Sequence, residues 1–105
     1  MDMKAIEFLK SHNYKECEDD RFHKWERVVT GVDFKNYTFR IRETSKLEKK
    51  LYNSSYAAKA RLDDGITFGA GFTPFYGDDL AKLEADMFND IAIAAEKNNR
   101  SNDKN

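Results

Sequence analysis

The chain is 105 residues long, 35% charged and 13% aromatic, and its 18 Lys and Arg nearly balance 19 Asp and Glu for a formal net charge of -1. That length suits one domain able to bury roughly two-thirds of its unfolded surface, and the balance excludes a histone-like polycation or a strongly acidic solvating chain. Cys17 is the only cysteine, which excludes an intrachain disulfide and points to a reducing cytoplasm, and no apolar run is long enough for a secretory core or a membrane span.

The near-zero total hides a segregation. Residues 1–20 carry -3, residues 21–39 carry +2, residues 40–61 carry +5 and residues 62–105 carry -5. A basic middle between two acidic ends is the main interaction signal in the chain.

Residues 2–12 read as a short helix capped by Asp2, with Met3, Ile6 and Leu9 on one stripe and Phe8 broadening it. Asn13 suits a left-handed position after the helix, with Tyr14 packing back on the last turn. Lys15 to Asp20 is acidic and lacks apolar spacing, so an exposed connector is expected. Residues 21–30 are strand-like, but Phe22, Trp25, Val28 and Val29 cannot share one face, which predicts a bulge or an end buried on both sides. Gly31-Val32-Asp33 marks a turn. Residues 36–43 alternate cleanly, with Tyr37, Phe39 and Ile41 against Thr38, Arg40 and Arg42.

Ser45 and Glu48 have capping-box spacing before a short helix over 46–52 that ends near Asn53. From Tyr56 the pattern admits a strand or a resumed helix. The strand is preferred, because Asp64-Gly65 is a hairpin signal with alternation on both sides. Ala58, Ala60 and Leu62 then face inward and Lys59 and Arg61 outward; Ile66, Phe68, Ala70 and Phe72 face inward and Thr67, Gly69 and Gly71 outward. Pro74 is expected to stop this strand. Asp78 or Asp79 caps a long helix whose apolar face is Leu80, Leu83, Met87, Phe88, Ile91, Ala94 and Ala95. Residues 98–105 hold no apolar residue and read as a disordered polar tail on a domain of residues 1–97.

The expected fold class is therefore α+β, in the order α-β-β-(short α)-β-β-α. It comprises an antiparallel sheet of three or four strands, built as two hairpins, with the N- and C-terminal helices on one face.

The outward sheet face is the first candidate site. It gathers Arg40, Arg42, Lys59 and Arg61, joined by Lys24 or Arg27 according to the register of the first strand. Such a surface suits an acidic protein, or nucleic-acid phosphates if aromatics accompany it. Most strand aromatics point inward here, with Trp25, His23 and Phe34 undecided. An ordinary solvated antiparallel face is also commonly rich in Lys and Arg.

The last helix carries a second, weaker candidate. Glu84 interrupts the apolar arc and demands a partner if buried, while Ile93 sits on the wet face near Asp86 and Asp90. A docking patch there would include Glu84, Asp86, Asp90 and Ile93, with Phe75 and Tyr76 nearby.

Other constellations fail. His12, Cys17 and His23 match no zinc spacing, and the acidic neighbours of Cys17 would raise its pKa rather than activate it. Gly69-Ala70-Gly71 lacks the third glycine and the βαβ setting of a dinucleotide loop, so backbone geometry such as a bulge is its expected role. No catalytic residue, metal or cofactor is expected. The sequence reading is a small cytoplasmic, non-enzymatic interaction module. It would bind a macromolecular partner, protein before nucleic acid, and the class of object suggests a phage or mobile-element inhibitor of a host defence complex of the anti-CRISPR or anti-restriction type. Direct nucleic-acid binding on the basic sheet face is the alternative, and an enzyme with an unfamiliar site is a third class.

Overall fold

The computed structural model describes residues 2–19, 22–63, 67–75 and 78–103. Among these residues the order is α1 (Met3–Ser11), β1 (Lys15–Asp19), β2 (Phe22–Thr30), β3 (Asn36–Glu43), α2 (Lys46–Tyr52), β4 (Tyr56–Leu62), β5 (Thr67–Phe75) and α3 (Leu80–Asp103). The strands form one antiparallel meander in the order β1-β2-β3-β4-β5. This is the α+β architecture that alternation and capping predict, with one strand more than expected.

The extra strand is β1. Its sequence KECED has no apolar alternation, but its backbone pairs with β2 in register from Lys15 opposite Glu26 to Asp19 opposite Phe22. Charged residues are suited to the edge of a sheet, where they discourage pairing with other chains. The connector reading of residues 15–20 is corrected accordingly.

β2 is regular rather than bulged, since its pairing to both neighbours runs without a slip. Trp25 and Val29 are buried, whereas Val28 faces the other way and is 61% exposed. The clash of apolar positions in the sequence is resolved by leaving one valine in solvent. The turn after β2 depends on Gly31, where a Cβ would lie 2.7 Å from a ring carbon of Tyr37. That ring is held in place by its hydroxyl, which donates to Asp33 at 2.7 Å.

The helices α1 and α3 cover one face of the sheet. Ala5 and Leu9 from α1, and Leu80, Leu83, Met87 and Ile91 from α3, share one core with Trp25, Val29, Tyr37, Phe39, Ile41, Ala58, Ala60 and Leu62. Phe88 packs edge-on against Phe39 with centroids 5.0 Å apart. Asp79 caps α3 by accepting from the Ala81 and Lys82 amides. Helix α3 continues through residues 98–103, past the point where the sequence loses its apolar face.

Strand β5 departs from simple alternation. Ala58 pairs with Thr73 but Ala60 pairs with Phe68, so residues 69–72 lie opposite a single residue of β4. The glycines Gly69 and Gly71 fall in this slip, as their backbone role predicts. Pro74 does not stop the strand. It pairs with Ala57 inside β5, the last strand of the sheet, and an edge strand is where a proline is tolerated. The Asp64-Gly65 turn and the Ile66 and Tyr76 positions lie outside the described residues.

Candidate functional site

Antiparallel register sets out the uncovered face in rows. Directly opposed residues share a face, so one row runs Lys15, Glu26, Arg40, Lys59 and the next runs Val28, Thr38, Arg61. A third holds Cys17, Lys24, Arg42 and Ala57. Lys24, Arg40, Lys59 and Arg61 thus meet on one surface, as alternation predicts. Within it Arg40 Nε donates to Glu26 Oε2 at 3.1 Å and Thr38 Oγ1 to Asp63 Oδ1 at 3.1 Å, so acids are set among the cations, Glu26 centrally.

Two residues of the predicted set are placed differently. Arg27 lies between the buried Trp25 and Val29 in the alternation and therefore faces the helices, not the open side. Arg42 does lie on the outer side but is only 8% exposed. Its guanidinium makes a two-pronged contact with Glu48, Nη1 to Oε1 at 2.9 Å and Nη2 to Oε2 at 3.1 Å. That fork ties α2 to the end of the outer face, where Ala57, opposite Arg42 in the ladder, is fully buried.

Helix α2 has the capping box and the end near Asn53 that the sequence predicts; what the sequence did not show is its clamp to Arg42 and the exposure of its leucines. Ser45 and Glu48 form a full capping box, and Asn53 closes the helix in the left-handed region at φ 48°. Thr44 Oγ1 adds a bond to the Ser54 carbonyl at 2.6 Å. None of its residues is buried, and Leu47 and Leu51 are 65% and 63% exposed. The Arg42 guanidinium and the Ser45 amide hold the Glu48 carboxyl down at about 2. The lone acid of α2 is thus turned inward, while Lys46, Lys49 and Lys50 are exposed. The available signal was an i, i+4 leucine pair with no third apolar position to make a core-facing stripe.

Glu84 takes the structural alternative open to it in the sequence, pairing with a strand arginine, Arg27. It is not part of an exposed helix patch but is 8% exposed and accepts three side-chain contacts. Tyr14 Oη donates at 2.8 Å, Arg27 Nη1 at 3.2 Å, and His12 Nδ1 lies 2.9 Å away. The end of α1 delivers two of these partners. The Tyr14 amide bonds to the Leu9 carbonyl and the Asn13 amide to that of Lys10, with Asn13 at φ 68°. This is the Schellman arrangement expected of Asn13. Burial, reinforced by the adjacent Glu84 carboxylate, pushes the Tyr14 hydroxyl well above its ordinary value, so it remains a donor. Arg27 also lies over the rings of Tyr14 and Phe88 at 5.9 and 5.7 Å, and His12 stacks on Phe8. The cluster binds α1, β2 and α3 together.

The rest of the helix patch is exposed: Asp86, Asp90 and Ile93 all reach solvent. Trp25 is buried, and the described side chains of the open sheet face include no aromatic for base stacking. Asp2, Glu43 and Asp78 line a cleft beside Tyr56, and burial, with Asp2 and Asp78, raises the Tyr56 hydroxyl. Among the described residues no group of three His, Cys, Asp or Glu side chains could hold a metal ion, and no helix is long and apolar enough to cross a membrane. No family model, curated protein or solved structure matches the chain.

Proposed function

We propose that the protein is a non-enzymatic module that docks on an acidic protein through the uncovered face of its sheet. The observation carrying this reading is the two-sided construction. Helices α1 and α3 cover one face of the sheet, while register gathers Lys24, Arg40, Lys59 and Arg61 on the other, beside an exposed Val28. A positive field over a partly apolar surface steers and holds a negatively charged partner. The Glu26 carboxylate among these cations favours a protein surface of mixed charge over the uniform phosphates of nucleic acid. Occlusion of a larger assembly, as an anti-restriction or anti-CRISPR inhibitor would achieve it, is the narrowest form of the proposal.

The test is capture by the immobilised protein from nuclease-treated extract of the cells that make it, compared with an Arg40→Glu/Arg61→Glu variant. The reading expects a protein retained by the wild type and lost from the variant. Retention of the same protein by both would overturn it. So would salt-sensitive binding to arbitrary nucleic acid with no protein retained.

A further inference from the structure

We propose that α2 is the recognition element of this surface, a short convex helix that seats Leu47 and Leu51 in an apolar groove rimmed by carboxylates on the partner protein. This rests on the reading that the module docks on an acidic protein, and it specifies where and how.

The argument starts from what holds α2 together. Two turns of helix are not stable alone, and in a folded protein such a helix normally persists by burying an apolar stripe. Helix α2 buries none of its residues. Its support is polar instead: the reciprocal Ser45–Glu48 box, the left-handed Asn53 and the fork from Arg42. The leucines are therefore not needed to keep the helix on the sheet. They are spaced i, i+4, on one stripe, and both are mostly exposed. Tyr52 is also exposed.

Charge identifies the occupant. Lys46, Lys49 and Lys50 are exposed on this one helix, whereas Glu48 is committed to Arg42. What α2 offers outward is thus apolar side chains set among cations. The complement is a groove that is apolar at its floor and acidic at its rim, the mode in which an amphipathic helix is read by i, i+4 anchors. At about 1.5 Å per residue the helix is roughly 10 Å long, so the groove need accept only two turns. An anionic lipid surface is the weaker match, because interfacial helices immerse a wide apolar face and are not pinned by their polar side. A second copy is weaker too. The acidic face with Ile93 lies on α3, across the sheet from α2, so copies would meet through two different surfaces, head to tail, rather than through the self-complementary patch of the commonest dimers.

The experiment places a photo-crosslinking residue at Leu51, and separately at Ile93, in the full-length chain. Protein crosslinked in extract is identified, made recombinantly and titrated by calorimetry against the wild type, Leu47→Ala/Leu51→Ala, Lys46→Glu/Lys50→Glu and Arg61→Glu. The expected result is crosslinking from residue 51 and not from residue 93. Binding should weaken tenfold or more in both α2 pairs, with circular dichroism and melting temperature of the leucine pair unchanged. Loss of binding with Arg61→Glu but not with either α2 pair would overturn this inference and leave the docking reading standing; loss with none of the three would overturn both. Absence of any protein crosslinked at residue 51 counts against α2 as the recognition element. Binding only to phosphatidylserine vesicles, or self-association abolished by the leucine pair, would also overturn it.

Discussion

Glu84 accepts from side chains that reach it from the end of α1, from β1's approach and from β2, so removing its carboxylate strands several polar groups at once. Arg27 and Tyr14 would lose a charged acceptor in a largely dry site, and leaving a buried charge without its partner is more damaging than losing an average bond. Glu84→Ala is expected to destabilise the fold by about 2–4 kcal/mol. Tyr14→Phe should cost less, about 1–2 kcal/mol, because the carboxylate retains Arg27. Urea denaturation of the two single variants and the double variant checks this, and the pair must be non-additive. Phe34 makes the opposite prediction. It stands at φ 62° and is 91% exposed, a backbone region that penalises a bulky side chain. Phe34→Gly is expected to gain rather than lose stability, by up to about 1 kcal/mol, because strain relief exceeds the cost of glycine's chain entropy. A fall in the urea midpoint would refute it. The sequence marks Glu84 as an anomaly because it breaks an apolar arc, but naming its partners requires knowing which face Arg27 takes, and the strand pattern left that open.

At the scale of elements, β3, the hairpin from β2 to β3 and all three helix starts were legible, because alternation and capping chemistry act within a few residues. Strand β1 was not. An edge strand is specified by backbone pairing to its neighbour, and its charged side chains carry no burial signal. The attachment of α2 was half legible: Ser45 and Glu48 announced the capping box, but Arg42 clamping Glu48 is a contact between elements. That clamp makes a pH prediction. Glu48 is held at about 2 against an ordinary 4.5. A carboxyl lowered by folding contributes stability that is fully present above the unfolded value and is lost as pH falls through the folded one. The loss should therefore run from about pH 4.5 to 2. With partial solvent screening it is expected to amount to about 1–2 kcal/mol. Burial pushes Asp33 up, but bonds from Tyr37 and Lys35 outweigh it and hold it low, so it adds to the same acid trend. The measurement is thus the difference between the wild type and Glu48→Gln in thermal melts across that range. The variant should be less stable at pH 7, and the gap should close by pH 2. A gap that stays constant would show that the fork does not stabilise α2.

At the scale of the whole molecule, the net-basic middle of the chain and its net-acidic last helix fall on opposite sides of one sheet. The outer face and α2 hold Lys24, Arg40, Lys59, Arg61 and the three lysines of α2, with Arg27 turned to the covered side, and α3, also on the covered side, presents Asp86 and Asp90 to solvent. The charge runs in the sequence become separate surfaces because β3, α2 and β4 are consecutive and share the open side, while α3 is confined to the other by its apolar face. A partner drawn to the basic side is repelled, more weakly and at longer range, by the acidic one. Two consequences for association follow. Arg61→Glu should slow association several-fold with the acidic partner and flatten its dependence on ionic strength. Asp86→Asn/Asp90→Asn should speed association by less than a factor of about three, since those charges lie beyond a Debye length of about 8 Å in physiological salt. The same pair of substitutions relieves an i, i+4 repulsion and should raise stability by a few tenths of a kcal/mol. Stopped-flow association at low and physiological salt separates the cases. Docking through the sheet face requires the Arg61 effect to exceed the Asp86/Asp90 effect at both salts, whereas a partner that engages α3 would reverse that order and be weakened by removing its acids.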